Sequence, residues 1–225
     1  MTISKTFESA TPSKQKFFRT GLASTVFAGI AALSLAVGAP AQAATTVISE
    51  GHIDIARASI SANGKNLVLG TNDEFHGNYY AAAQVGDVEF DVSKKEGGNW
   101  IIPATQTGNE LFTGFAGSGN EAPGEASGEQ GLYNKLSAGD HVKFTVVPAA
   151  GNPGTVRLDF PASTGVVTSG NSYTAALKAN EDEAFHAHPK WTFSAKGTYL
   201  VTISASNPEN KVGASSPITV KFVTK

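Results

Sequence analysis

The sequence predicts an all-β protein, an immunoglobulin-like β-sandwich with extra strands and one long loop rich in glycine and glutamate. Three observations support this fold class. Short apolar alternations recur along the chain, Gly, Asn, Asp and Pro separate them, and no stretch keeps a helical period for more than about two turns. Short strands at such spacing, with turn residues between them, are typical of a sandwich.

The first 43 residues are predicted to be a secretory signal peptide that is not part of the fold. Four basic residues and one acid precede the apolar run "LASTVFAGIAALSLAVGA", and Ala41 and Ala43 follow Pro40. These are the basic, apolar and cleavage parts of an export signal. A membrane helix is the alternative, but the proline and the A-x-A site interrupt the run. We therefore expect one secreted or cell-envelope domain, residues 44–225, with no membrane span.

Some ten segments of this domain have the composition of strands. They are residues 48–60, 66–71, 87–92, 100–104, 141–149, 155–160, 173–179, 185–193, 197–206 and 216–223. Between the first two lies Asn63-Gly64, which predicts a type I′ hairpin turn because both residues tolerate positive φ.

One stretch breaks this pattern. Residues 115–136, "FAGSGNEAPGEASGEQGLYNKL", are rich in Gly and Glu and have few apolar side chains to bury. They predict a long exposed loop with a short helix near Leu132. A linker between two domains is the alternative.

The last fifty residues predict a strand, a tight Lys-Gly turn and another strand, followed by a closing partner. One face of these strands should be buried, since its residues alternate with polar neighbours: Trp191, Phe193, Tyr199, Val201 and Ile203. The hydroxyl of Tyr199 is expected to bond back to upstream backbone, as in a tyrosine corner.

Charge and composition exclude several classes of function. Without residues 1–43 the chain has 13 basic and 18 acidic residues, a formal charge of −5. Nucleic acid and anionic membranes are therefore not expected partners, because both favour basic patches. The absence of cysteine excludes thiol catalysis, cysteine-based zinc sites and a lipoprotein anchor. No G-x-S-x-G, H-E-x-x-H or P-loop motif is present, so we expect no enzymatic activity.

The stretch "FHAHPKW" holds two of the five histidines. On a strand, His186 and His188 would point to the same face and offer two imidazoles to one metal ion. The alternative is a pair of hydrogen-bonded histidines packed beside Trp191. The acids at 181–183 are expected to form a solvated turn that leads into this strand.

A metal site needs at least a third ligand, and His52 is the best candidate. It begins a strand and is flanked by Glu50 and Asp54, either of which could bind the ion or orient an imidazole. His76, in a polar loop, and His141, after a Gly-Asp turn, are the alternatives.

Three motifs of this chain resemble a known family. "GHIDI", "WIIPATQTGNELFTGFAGSGNE" and "HAHPKWTFSAKGTYLVTISAS" stand in the order seen in the choice-of-anchor M domain family of actinobacterial surface-anchored proteins. That family has a "GHvD"-like start, a "vLPQ...lwlG"-like segment and a "HaHanWaFt..GtYrv"-like end. The motifs span residues 51–206, and Pro103 and Gln106 match the looser middle pattern.

The resemblance implies functional residues and a context for the protein. The family's recurring polar positions fall on His52, Asp54, His186, His188 and Trp191. Members are often encoded near ABC transporters of the metal-uptake type, which implies that a solute-binding protein or a surface-anchored homologue is the partner. This sequence lacks the family's C-terminal anchor, so we expect release from the cell or retention by partners.

These observations lead to one main hypothesis and two rivals. The protein is expected to bind Zn²⁺ through His52, His186, His188 and Asp54 in support of metal uptake. The first rival is an adhesive or structural module without a bound ion. The second is recognition of a larger ligand, such as haem or a glycan, on an aromatic-lined face that would use Tyr79, Tyr80 and Trp100.

Overall fold

The alternating segments form β-strands in the computed structural model, which describes residues 45–120, 128–161, 167–169, 172–179 and 181–225. The predicted signal peptide, residues 1–43, and the middle of the predicted loop, residues 121–127, lie outside this part of the chain. No helix within the described ranges is long and apolar enough to cross a membrane.

The described residues form sixteen strands and two short 3₁₀-helices. The strands are β1 (Thr46–Ile48), β2 (His52–Ile60), β3 (Leu67–Asp73), β4 (Asn78–Ala81), β5 (Val88–Val92), β6 (Lys95–Glu96), β7 (Asn99–Ile102), β8 (Phe112–Ser118), β9 (His141–Pro148), β10 (Val156–Asp159), β11 (Val167–Ser169), β12 (Ser172–Ala176), β13 (Glu183–Ala187), β14 (Lys190–Phe193), β15 (Gly197–Ser206) and β16 (Ile218–Thr224). The 3₁₀-helices are Val85–Asp87 and Leu132–Asn134, and the second confirms the predicted short helix near Leu132.

The strands build three sheets, and the prediction of an all-β sandwich with extra strands is confirmed. The largest sheet has the order β1-β5-β16-β15-β9-β12-β11, the second β13-β8-β2-β3-β4 and the third β10-β14-β7-β6. Most pairs are antiparallel, but β1 with β5, β5 with β16 and β2 with β8 are parallel.

Aromatic side chains from all three sheets meet in one core. The ring of Phe115 on β8 lies 5.1 Å from that of Phe144 on β9, and Trp191 on β14 lies 5.1 Å from Phe222 on β16. The seven-stranded sheet thus packs against both smaller sheets. The predicted buried face is confirmed, since these side chains are all buried: Trp191, Phe193, Tyr199, Val201 and Ile203.

Tyr199 also has the hydrogen bonds that the tyrosine-corner prediction requires. Its hydroxyl donates to the carbonyl of Ala195 at 2.8 Å and accepts from the amide of the same residue at 2.9 Å. The closing strands β15 and β16 pair in antiparallel register as expected.

Three local predictions are wrong in detail. The first strand breaks at Ser49–Gly51 into β1 and β2, which belong to different sheets. The chain likewise leaves the second sheet at His188–Pro189 to enter the third, so residues 185–193 are not one strand. Residues 115–118 are not loop but the buried end of β8. By contrast, the two strands predicted on either side of the Lys-Gly turn are present as β14 and β15, and they belong to different sheets.

The β2–β3 hairpin is present, but its turn is not type I′. Gly64 has a φ of 69°, whereas Asn63 is not among the positive-φ residues, and type I′ needs both. Two backbone hydrogen bonds close the connection instead: the amide of Ser61 donates to the carbonyl of Asn66, and the amide of Gly64 donates to the carbonyl of Ser61.

Candidate metal centre

Three histidines and one aspartate converge on the second sheet. His52 and Asp54 lie at the start of β2, His186 lies on β13, and His188 comes directly after β13. These are the four residues that the sequence predicts as metal ligands, and they form one cluster whose donor atoms all lie within 4.8 Å of one another.

The donor atoms face one another at short distances. Nε2 of His52 lies 3.1 Å from Nε2 of His186 and 2.9 Å from Nε2 of His188, and the last two are 2.8 Å apart. Oδ1 of Asp54 lies 2.9 Å from Nε2 of His186 and 3.9 Å from that of His52. The cluster therefore presents three imidazole nitrogens and one carboxylate oxygen to a common centre.

The two strands that supply these ligands are not neighbours in the sheet. Strand β8 lies between β2 and β13. It leaves room for the imidazoles because Gly114 pairs with Asp54 and Ala116 pairs with His186. A Cβ on Gly114 would lie 2.7 Å from the His188 ring. The histidines can therefore meet above the middle strand.

Phe112 fixes one of these rings. Its side chain stacks on His188 with ring centroids 3.7 Å apart and an angle of 12° between the planes. This contact holds His188 in place although the residue belongs to no strand.

A bulge in β2 places a further polar residue beside the cluster. Asp54 pairs with Gly114 and Ala56 with Phe115, so β2 has one residue more than β8 at this point. Side chains three residues apart on a regular strand point to opposite faces, and an extra residue reverses that relation. Arg57 consequently lies on the same face as Asp54.

A second bulge acts in the same way on β13. Glu183 pairs with Ser118 and Phe185 with Gly117, which again leaves one extra residue. Glu183 therefore shares a face with His186 at a spacing of three. The prediction that the acids at 181–183 form a solvated turn is wrong for Glu183, which contacts the cluster.

Two glutamates orient the imidazoles. Oε2 of Glu74 lies 2.6 Å from Nδ1 of His52, and Oε2 of Glu183 lies 2.9 Å from Nδ1 of His186. A carboxylate at Nδ1 holds the proton on that nitrogen and directs the lone pair of Nε2 outward, as around many zinc-bound histidines. Both histidines thus point their Nε2 atoms at the centre, the nitrogens that would bind an ion.

Arg57 ties the carboxylates together. Its Nη1 donates to Oδ2 of Asp54 at 3.0 Å and to Oε1 of Glu183 at 2.8 Å, and its Nε donates to Oγ of Ser118 at 3.0 Å. It also lies 3.9 Å from Glu74. The three carboxylates could form a second metal group by distance alone, but the guanidinium already lies among them.

The pKa values of the cluster are shifted in opposite directions. Burial lowers the pKa of His186, but hydrogen bonds to Asp54 and Glu183 outweigh burial and raise it to about 10. Burial and the charges of His186 and His52 lower the pKa of His188 to about 3. Burial raises the pKa of Asp54, yet the contact with His186 brings it below the usual range. In the metal-free protein, His186 is therefore protonated at Nε2 as well as at Nδ1. The Nε2 proton lies between this nitrogen and the neighbouring ligand atoms.

The donor set fits a small divalent cation. Zinc is held by imidazole nitrogen and carboxylate oxygen at about 2.0–2.2 Å, which puts tetrahedral ligands about 3.3 Å apart. The nitrogens are within a few tenths of an ångström of that spacing. Oδ1 of Asp54 is buried and faces the cluster, where its near partner is Nε2 of His186 at 2.9 Å. A cation at the centre would satisfy this atom.

The other candidate ligands lie elsewhere. Nδ1 of His76 bonds to Asp73 and Nδ1 of His141 bonds to Glu209, so each has a carboxylate partner outside the cluster. Glu50 is exposed and forms an isolated β-bridge with residue 110. The orienting role predicted for Glu50 belongs instead to Glu74 and Glu183.

The aromatic residues proposed for a larger ligand do not form a face. Tyr79 and Tyr80 are successive residues of β4 and so point to opposite sides. Trp100 is buried in a different sheet, where its indole donates to the carbonyl of Lys225. Trp191 is fully buried in the core and has a packing role.

A pocket of about 420 Å³ opens onto one side of the cluster. The three histidines line it together with Ala104, Gln106, Phe112, Pro161 and Ala187. Side chains of His52 and His186 are 22% and 25% exposed, so the site can exchange ions with solvent.

Comparison with known proteins found no matching family model, no matching curated protein and no matching solved structure. The resemblance to the choice-of-anchor M domain family stays a prediction from the three sequence motifs.

Proposed function

We propose that this protein binds one Zn²⁺ ion outside the cell, through His52, His186, His188 and Asp54, and supports metal uptake. The observation that carries the proposal is the convergence of three Nε2 atoms within 3.1 Å of one another beside a buried carboxylate. Three lone pairs at that distance repel unless a proton or a metal ion lies between them. Imidazole nitrogen and carboxylate oxygen are common ligands of Zn²⁺. The cluster has no sulfur ligand, which Cu⁺ would prefer.

The cellular role rests on the sequence. The pattern of residues 1–43 supports export, and the family resemblance supports a place beside a metal-uptake ABC transporter. The protein would gather zinc at the cell envelope and release it to the transporter's solute-binding protein or to a surface-anchored homologue. The pocket supports this role, because solvent or an acceptor can approach the ion from that side. None of the residues described in the pocket is a free carboxylate that could act as a general base, and we propose no catalytic step.

Calorimetric titration of the purified protein with zinc tests the proposal. At pH 7.5 we expect one ion per chain, and weaker binding at pH 5.5, because protons compete for the imidazoles. The double variant H186A/H188A should lose binding. The matched control is H141A, which removes an exposed histidine outside the cluster.

The alternative role as an adhesive module without an ion makes the opposite prediction. It would be supported if the wild-type protein does not bind zinc, or if H186A/H188A binds it as tightly as the wild type does.

A further inference from the structure

The open side of the metal centre has the features of a binding site for an incoming ligand. The pocket reaches the cluster from solvent and has a volume of about 420 Å³, whereas one water molecule takes up about 30 Å³. The space is therefore large enough for an organic donor group. The inference that follows rests on the proposed zinc site.

The walls of the pocket favour a flat, partly apolar ligand. Ala104, Pro161 and Ala187 offer apolar surface, and Phe112 contributes an aromatic ring that is already stacked on His188. Apart from the three histidines, Gln106 is the one polar side chain among the described lining residues. Its exposed amide can donate or accept a hydrogen bond at the mouth of the pocket.

The charge of the site determines whether an anionic or a neutral ligand would bind in this pocket. Asp54, Glu74 and Glu183 carry three negative charges around the histidines and Arg57 carries one positive charge, which leaves a formal charge of −2. A divalent ion brings the centre to zero. An anionic ligand would then make it negative again beside three carboxylates, whereas a neutral ligand leaves the balance unchanged.

We propose that the open side of the zinc centre accepts a neutral imidazole, as presented by a histidine side chain, as an exchanging ligand. Imidazole is a good zinc ligand, its ring matches the apolar and aromatic walls, and it adds no charge. In the exchange a bond forms between zinc and the incoming nitrogen, and a bond between zinc and one of the chain's own ligands then breaks. No electron is transferred, and the ion leaves as Zn²⁺. This step supplies a route by which an acceptor with an exposed histidine takes the metal.

Cobalt substitution makes the incoming ligand visible. The purified protein is loaded with Co²⁺, whose visible absorption depends on its ligands, and titrated at pH 7.5 with 4-methylimidazole and, separately, with acetate. We expect a saturable spectral change with 4-methylimidazole and a dissociation constant at least ten-fold lower than that of acetate. Cobalt content after desalting should remain one per chain at ligand concentrations just above saturation.

Two variants place the ligand in the pocket. Q106W introduces a bulky ring at an exposed position on its rim, and A104F fills it from the wall. Both should keep cobalt and bind 4-methylimidazole at least ten-fold more weakly. A150F, which adds the same ring at an exposed turn remote in sequence, should behave like the wild type.

The outcomes separate this inference from the proposed function. If the wild-type protein does not bind cobalt or zinc, both are wrong. If it binds cobalt but 4-methylimidazole leaves the spectrum unchanged, merely strips the metal, or binds no better than acetate, only the inference is wrong. Unchanged 4-methylimidazole binding in both pocket variants would also overturn it.

Discussion

Two glutamates set the orientation of two of the histidines in the cluster. Glu74 and Glu183 accept hydrogen bonds from Nδ1 of His52 and His186, so the opposite nitrogens face inward, where a bound ion would use their lone pairs. Three inward lone pairs are unfavourable alone and favourable around a cation. The carboxylate contacts should therefore strengthen metal binding by the four ligands.

Removing the charge of Glu74 should weaken zinc binding without unfolding the protein. In E74Q the amide oxygen can still accept a hydrogen bond, but the negative charge that holds the imidazole of His52 in place is lost. We expect zinc affinity to fall about 10–100-fold, measured by competition with a chromophoric chelator. E181Q changes an exposed glutamate outside the cluster and should leave the affinity unchanged. Equal affinities of E74Q and the wild type would show that the contact has no role in metal binding.

Zinc binding should release a proton. The pKa of His186 is raised to about 10, so at pH 7.5 this residue is protonated in the metal-free protein and must lose that proton to bind the ion. The other imidazole with a shifted pKa, His188, is neutral already, because its value is lowered to about 3. Calorimetry in buffers of different ionisation enthalpy should therefore give release of about one proton per zinc at pH 7.5. Release should fall towards zero as the pH passes 10, and release near zero at pH 7.5 would contradict the assignment.

The ligand residues could be predicted from the sequence, whereas the residues that orient them could not. The H-x-H spacing and the family resemblance select all four ligands. Arg57 and Glu183 lie three positions from a ligand, which on a regular strand places them on the wrong face. Only the bulges bring them to the site. Glu74 reaches His52 only through the β2–β3 register, in which Ile53 pairs with Asp73 and His52 therefore lies opposite Glu74.

At the scale of elements, the site depends on how β2, β8 and β13 lie side by side. Neighbouring strands are about 4.8 Å apart, so ligands on β2 and β13 must reach across about 10 Å. The middle strand permits this because Gly114 and Ala116 present almost no side chain at the level of the histidines. Sequence periodicity could not reveal this arrangement, since residues 115–118 of β8 belong to the glycine-rich stretch that predicts a loop.

Adding one methyl group to the middle strand should disrupt the site. In G114A the new Cβ would lie 2.7 Å from the His188 ring and from the carbonyl oxygen of Ala187, and the ring would have to move. We expect at least a ten-fold loss of zinc affinity by calorimetry, with the β-sheet circular dichroism retained. The matched control is G86A, where a Cβ would meet nothing within 4 Å. Wild-type affinity in G114A would mean that the position of His188 does not matter for binding.

At the scale of the whole molecule, the metal would join distant parts of the chain. His52 and His186 are 134 residues apart, and both lie on a sheet whose inner side packs in the common aromatic core. The buried faces of the last strands could be predicted from the sequence, because apolar and polar residues alternate along a half-buried strand whichever strands are its neighbours. It could not predict which strands share a sheet, since β1 and β2, or β14 and β15, are successive in sequence and separate in space.

Zinc should stabilise the entire domain. An ion that binds only the folded state at 100 times its dissociation constant adds about 2.7 kcal/mol to the free energy of unfolding. For a domain of this size that corresponds to a rise in Tm of about 5–10 °C, measurable by differential scanning calorimetry. Magnesium prefers oxygen ligands and should give no shift. H186A/H188A should melt at the same temperature with and without zinc, and a zinc-dependent rise in this variant would place the ion elsewhere.

X-ray absorption at the zinc edge of the loaded protein tests the central claim most directly. The proposed site predicts three imidazole nitrogens and one carboxylate oxygen at about 2.0–2.2 Å, with the outer-shell scattering of three imidazole rings. Room remains for one further oxygen from solvent on the pocket side. A spectrum with fewer than two imidazoles, or with oxygen ligands alone, would contradict the assignment of His52, His186, His188 and Asp54 as a metal centre.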